Sequence, residues 1–166
     1  VYTPVTSYPF VANYESGSLP PQLWPVPNSR AVIDVNTAAA YNSAYGERSM
    51  GGNTSTGWVA ATTGDAAFAN STHVAKTQIQ VVPSGQPGLL TLRFNHKMTY
   101  TYAQPNYSWF RVTVNGTPIA DVDGVMYPRP STANSDPFVL RSYNLSAYQG
   151  TSFILGLETA CNYYAG

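Results

Sequence analysis

Eight carboxylates, two histidines and one cysteine are what this 166-residue chain offers for acid–base, nucleophilic or metal chemistry. A glycosidase-type site needs two carboxylates held at a defined separation. Asp34, Asp65, Asp121, Asp123, Asp136, Glu15, Glu47 and Glu158 supply no pair in a recognisable catalytic frame. A nucleophile triad needs a histidine base, and neither His73 nor His96 is accompanied by a G-x-S-x-G elbow. His96 has the parity of the apolar face of its strand, which predicts a structural, hydrogen-bonded histidine. His73 opens a strand and is expected at the surface. Zinc wants several His or Cys ligands, and Cys161 with two distant histidines is too thin a set. Cys161 itself reads as a small buried apolar residue rather than a reactive thiol. These residues predict a protein that is not an enzyme.

Two other kinds of chemistry stay open. Calcium takes oxygen ligands, including backbone carbonyls that a sequence does not reveal. "DVDG" (121–124) places Asp121 and Asp123 on one side of a turn, although a solvated turn after a hairpin is the favoured reading. Aromatic rings can stack on sugars, and Trp24, Trp58, Trp109, Tyr102 and Tyr107 are candidates. For any one of them core packing is the better expectation. A ligand-contacting role is expected of Trp24 and Tyr127, which lie in the two long loops.

The composition sets the surroundings. Charged residues are 10% of the chain and the formal net charge is zero, which excludes the basic patch that phosphate binding requires. Apolar residues reach 43% and aromatics 13%, so the chain can bury a core and is not a disordered type. The polar surface must be built from Ser, Thr, Asn, Gln and Tyr, a balance more usual in extracellular β proteins. One cysteine forbids an internal disulfide. No apolar run approaches the roughly 20 residues of a membrane span. A start at Val1, with neither Met nor a signal-type segment, fits a mature secreted protein. Five Asn-x-Ser/Thr sites, at Asn53, Asn70, Asn106, Asn115 and Asn144, agree with an exposed surface.

The elements that must position these residues have period two. Helical patterning is confined to "NTAAAYNSAYGE" (36–47), where Asn36 can cap one or two turns. In "GLLTLRFNHKMTYTY" (88–102), Leu90, Leu92, Phe94, His96, Met98, Tyr100 and Tyr102 share one face. In "YSWFRVTVNG" (107–116), Phe110, Val112 and Val114 form an apolar face, and Trp109, Arg111 and Thr113 a mixed one. Asn115-Gly116 is a strong hairpin signal, because both central residues of a type I′ turn need positive φ. "DPFVLRSYNL" and "TSFILGLET" are two further strands connected by "SAYQG". "YPFVANYE", "RAVIDV", "GWVAATT" and "THVAKTQIQVV" read as shorter ones. "LPPQLWPVP" (19–27) reads as an extended loop, because proline cannot donate to a ladder, and "YPRPSTANSDP" (127–137) as the other long loop. The prediction is one all-β domain over 1–166, a two-sheet antiparallel β-sandwich.

Taken together, "YPFVANYESGSLPPQLW" (8–24), "LLTLRFNHKMTY", "SWFRVTVNG" and "PFVLRSYNLSAYQGTSFILGLETACNYYAG" resemble the jelly-roll domains of the MAM-like and cleaved-adhesin group. That group opens on a "PF-x-x-x-FE-x-G-x-x-P" signature, and Tyr14 here replaces its usual Phe. About half the chain is covered, in the order and spacing of the group. The resemblance implies a jelly roll of a secreted bacterial surface protein, with a structural calcium ion to which Glu15 would contribute. It also implies a closing strand after "ETACNYY", which this sequence stops short of, and hence an unpaired strand position. Val1–Ser7, an arm of alternating β-branched and polar residues, could then act as a donor strand to a neighbouring copy.

Two functions follow as expectations. The first is a non-catalytic structural or adhesive module at the cell surface, self-associating into filaments or belonging to a larger surface protein. The alternative is a carbohydrate-binding module of a secreted hydrolase. Self-association or a larger surface protein is the partner expected of the first and glycans of the second, with neither nucleic acid nor a membrane span involved.

Overall fold

The computed structural model describes residues 2–26, 32–50, 74–83, 88–98, 108–129 and 136–161. Among these residues there is no α-helix, and nine strands run β1 (Leu23–Pro25), β2 (Val32–Asn36), β3 (Gly46–Met50), β4 (Val74–Val81), β5 (Thr91–His96), β6 (Ser108–Val114), β7 (Thr117–Ile119), β8 (Val139–Asn144) and β9 (Phe153–Cys161). A five-stranded sheet has the order β1-β4-β9-β6-β7, while β2-β3 and β5-β8 form two separate ribbons. All of the strand pairings are antiparallel. The chain is all-β and consistent with a β-sandwich.

One face of the five-stranded sheet carries the core. Alternation along β4, β9 and β6 puts Ile79, Val81, Phe153, Leu155, Phe110, Val112 and Val114 on it, all buried. The β5-β8 ribbon covers this face with Phe94 and Tyr143, which stack with ring centroids 5.9 Å apart, and Phe94 meets Phe110 edge-on at 5.8 Å. The β2-β3 ribbon lies on the same face through polar contacts. The Glu47 carboxylate accepts hydrogen bonds from the Thr77 hydroxyl and, at 3.1 Å, from the Tyr14 hydroxyl. Ser49 and Thr159 join their hydroxyls at 2.6 Å. Burial raises the Glu47 carboxyl above its ordinary range and, with Glu47 beside it, raises the Tyr14 phenol too.

The period-two expectations hold where they can be seen. In β5, Leu92, Phe94 and His96 are half-buried while Thr91, Arg93 and Asn95 are exposed. Asn115 (φ 50) and Gly116 (φ 81) both sit at positive φ between β6 and β7, as a type I′ hairpin requires. Asn36 accepts the Ala38 N–H at 2.7 Å and caps a short 3-10 turn, Thr37–Ala39. The strand expected over "GWVAATT" lies outside the described residues, as do Trp58, Tyr102 and Tyr107.

Three local readings change. Leu23–Pro25 is a strand, not loop: the Val26 N–H reaches Lys76 O at 2.8 Å, so the Pro25 nitrogen faces away from β4, at an edge where no donor is needed. "YPFVANYE" forms no ladder: it bends at Tyr8-Pro9 and enters a turn at Glu15. β8 and β9, adjacent in sequence, fall in different sheets, and β9 is paired along both edges, by β4 and β6. The N-terminal arm is engaged within its own chain. Val5, 4% exposed, donates to Gln80 O at 2.8 Å and accepts from the Val82 N–H at 2.9 Å, forming a parallel bridge beside Val81.

Candidate functional site

The opposite face of the five-stranded sheet carries polar and aromatic groups in place of a second apolar layer. Direct register across three strands sets Lys76 of β4, Glu158 of β9 and Arg111 of β6 in one row. Glu158, 1% exposed, pairs with Arg111 Nε at 2.7 Å and Lys76 Nζ at 3.1 Å, and accepts from the Thr113 hydroxyl at 3.3 Å. Two cations and a hydroxyl therefore satisfy a carboxylate whose burial alone would be costly. The next row is Gln78, Gly156 and Thr113. A Cβ at Gly156 would collide with the Thr113 hydroxyl and come to 3.0 Å of Glu158 Oε1, so the glycine makes room for the carboxylate.

Toward β1 the face becomes more accessible. Trp24 is paired with Gln78, and its indole N–H donates to Gln78 Oε1 at 3.1 Å. Tyr2 stacks on Trp24 with centroids 4.3 Å apart and planes 21° from parallel, and is 53% exposed. The Lys76 ammonium, two residues from Gln78 and on the same face, keeps 31% of its side chain exposed. Tyr2, Trp24, Gln78 and Lys76 thus form a strip of stacked rings, an amide and an ammonium. Such a strip can stack on a sugar ring while hydrogen-bonding its hydroxyls. Trp109, on the same face, is buried beneath the guanidinium of Arg129, 5.2 Å from its ring.

The residues expected to act together are in part kept apart. Phe110 donates to Pro128 O at 3.0 Å on the β7 side of β6, so Tyr127 lies at the sheet's far edge from Trp24. Four inter-strand steps of about 4.8 Å separate them by roughly 19 Å, too far for one sugar ring. Nor do Glu15, Asp121 and Asp123 form one oxygen cage: among the described residues no three His, Cys, Asp or Glu side chains converge. Glu15 accepts the Ala44 N–H at 3.2 Å and fastens the connection between β2 and β3. Asp121 Oδ1 accepts the Asp123 and Val125 N–H groups at 3.0 and 2.8 Å, and Oδ2 pairs with Arg141 at 3.0 Å. Asp121 organises its loop and holds the Arg141 guanidinium against it.

His96 packs its ring on Phe110 at 4.3 Å. Burial, with the Arg141 charge nearby, lowers its pKa to about 4. The unfolded chain therefore takes up this proton first as pH falls. The contribution is complete above the ordinary histidine value of about 6.5 and is lost progressively down to about pH 4. We expect this to remove about 3 kcal/mol, or roughly 6–12 °C in Tm. Thermal melts of the wild type and His96→Gln at several pH values check it: the variant should show a shallower fall over this window, whatever its absolute Tm.

Lys76, Gln78, Arg111, Glu158 and Tyr2 were not singled out as site residues from sequence. The signal for two of them was there in parity: Arg111 alternates with the apolar set of β6, and Glu158 with Phe153, Leu155 and Leu157. Comparison of the chain with protein-family models, curated proteins and solved structures finds no match.

Proposed function

We propose that this chain is a non-catalytic, extracellular β-sandwich module of jelly-roll type, serving as an adhesive part of a bacterial surface protein, and that it touches glycan through the Tyr2–Trp24–Gln78–Lys76 strip. The observation that carries the reading is that strip: a stacked aromatic pair beside an amide and an ammonium on a half-open sheet face. The use of titratable groups points the same way. Asp34 pairs with Arg48, Asp121 with Arg141, and Glu158 with Arg111 and Lys76. Glu47 is held by Tyr14 and Thr77, and His96 is packed on Phe110. These are structural roles, set in a low-charge protein. The bacterial-surface assignment rests on the resemblance of the 8–24, 89–100, 108–116 and 137–166 stretches to cleaved-adhesin domains.

An immobilised-glycan array tests it. The wild type should bind a subset of saccharides, and Trp24→Ala, with an unchanged circular dichroism spectrum, should bind them about tenfold more weakly, the loss of roughly 1.4 kcal/mol of stacking. No binding to any glycan, or binding that Trp24→Ala leaves intact, would count against the strip. Selective retention on insoluble polysaccharide would favour the carbohydrate-binding module of a secreted hydrolase instead.

A further inference from the structure

Residues 10–14 have the side-chain alternation of a β-strand and none of its hydrogen bonds. Phe10, Ala12 and Tyr14 pack against the core, while Val11 is 76% exposed and Asn13 lies outward with it. Among the described residues, no backbone N–H or C=O of Phe10, Val11, Ala12 or Asn13 has a partner. The chain is fastened on either side: at Val5 by β4, and at Tyr14 by a turn in which the Gly17 N–H reaches Tyr14 O at 2.8 Å. A backbone anchored by its inward residues, with its ladder groups unmet, is a template for a further strand. Proteins blunt such edges with charge, and this stretch has none between Tyr8 and Tyr14.

We propose that Phe10–Tyr14 pairs with the same segment of a second copy of this chain, antiparallel and about a two-fold axis through Ala12. The segment "FVANY" is nearly palindromic in residue type: aromatic, any, Ala, any, aromatic. Antiparallel pairing centred on Ala12 sets Phe10 opposite Tyr14 of the partner subunit and Val11 opposite Asn13 of the partner subunit. Facing aromatics stabilise an antiparallel pair, and no like charges meet across the axis. The same residues serve on both sides, as a two-fold interface requires. A contact of five residues per copy falls short of a standard interface, so the dimer is a weak, concentration-dependent one.

Crosslinking tests both the contact and its register. In a Cys161→Ser background, Val11→Cys/Asn13→Cys should form a disulfide-linked dimer in a glutathione buffer much faster than either single cysteine, because residues 11 and 13 face one another only in this register. In analytical ultracentrifugation the wild type should show a concentration-dependent dimer. Val11→Lys/Asn13→Lys, which sets lysines opposite one another without touching the core, should abolish it. A wild type monomeric at every concentration would overturn the proposal, as would dimers that survive the lysine pair or cysteine variants that crosslink no faster than the singles. A wild type that binds glycan yet stays monomeric at every concentration would overturn this proposal alone and leave the strip untouched.

Discussion

Replacing Glu158 by glutamine is expected to lower stability by about 3–5 kcal/mol, the usual cost of removing one partner of a buried ion pair. Glu158 is buried at the centre of the five-stranded sheet, between Lys76 on one neighbouring strand and Arg111 on the other. Glutamine keeps the shape and one acceptor oxygen, but it leaves two cations facing a neutral amide. At about 2–4 °C per kcal/mol for a chain of this size, Tm should fall by roughly 6–20 °C. The cause can be separated from simple loss of packing with a double-mutant cycle. Arg111→Met and Glu158→Gln together should destabilise less than the sum of the two alone, by about 0.5–3 kcal/mol. Strict additivity would mean that the row is coincidental contact rather than a coupled unit.

Gly46→Ala should be the most damaging single methyl in the described structure. Gly46 opens β3 against the 3-10 turn, and a Cβ there would be driven into the carbonyl of Ala39. Backbone cannot swing aside as a side chain does, so either the turn or the first β2-β3 pair, Asn36 with Gly46, must give way. We expect a loss of about 3 kcal/mol, at the upper end for overpacking, seen as a lower urea midpoint with an unchanged slope. Gly150→Ala is the control. Nothing lies within 4 Å of a Cβ at that position, so its effect should stay within about 0.5 kcal/mol. Equal midpoints for the two variants would show that the turn does not press on Gly46.

Both sites depend on pairings that a sequence does not display. The alternation of Trp109, Arg111 and Thr113 against Phe110, Val112 and Val114 is local and legible, as are the Asn115-Gly116 turn and the Asn36 cap. That Arg111 meets Glu158, 47 residues away, is a matter of register between strands, which the sequence pattern constrains only by face. The same limit explains Trp24 and Tyr127. Each lies in a Pro-rich stretch that reads as exposed loop, and only the strand order shows them at opposite edges of one sheet. The prolines of "LPPQLWPVP" argue against a central strand, and Pro25 escapes that rule because its nitrogen points off the sheet edge. "YPFVANYE" has a strand's side-chain pattern, and nothing local tells whether a ladder partner exists. "DVDG" reads as a turn, and a turn it is; that Arg141 pairs with Asp121 depends on how β8 lies beside that loop.

The glycan-contacting strip is tested most directly by the indole N–H signals of the three tryptophans in a 15N-labelled sample, titrated with a saccharide selected on the array. Among the described residues, Trp24 combines a place in the strip with partial exposure, and Trp109 is 1% exposed. The predicted result is a saturable shift of the Trp24 indole signal, with that of Trp109 unmoved and the Trp24 response lost in Lys76→Ala/Gln78→Ala. A saturable shift of another tryptophan while Trp24 stays fixed, or no shift at any saccharide concentration, would contradict it.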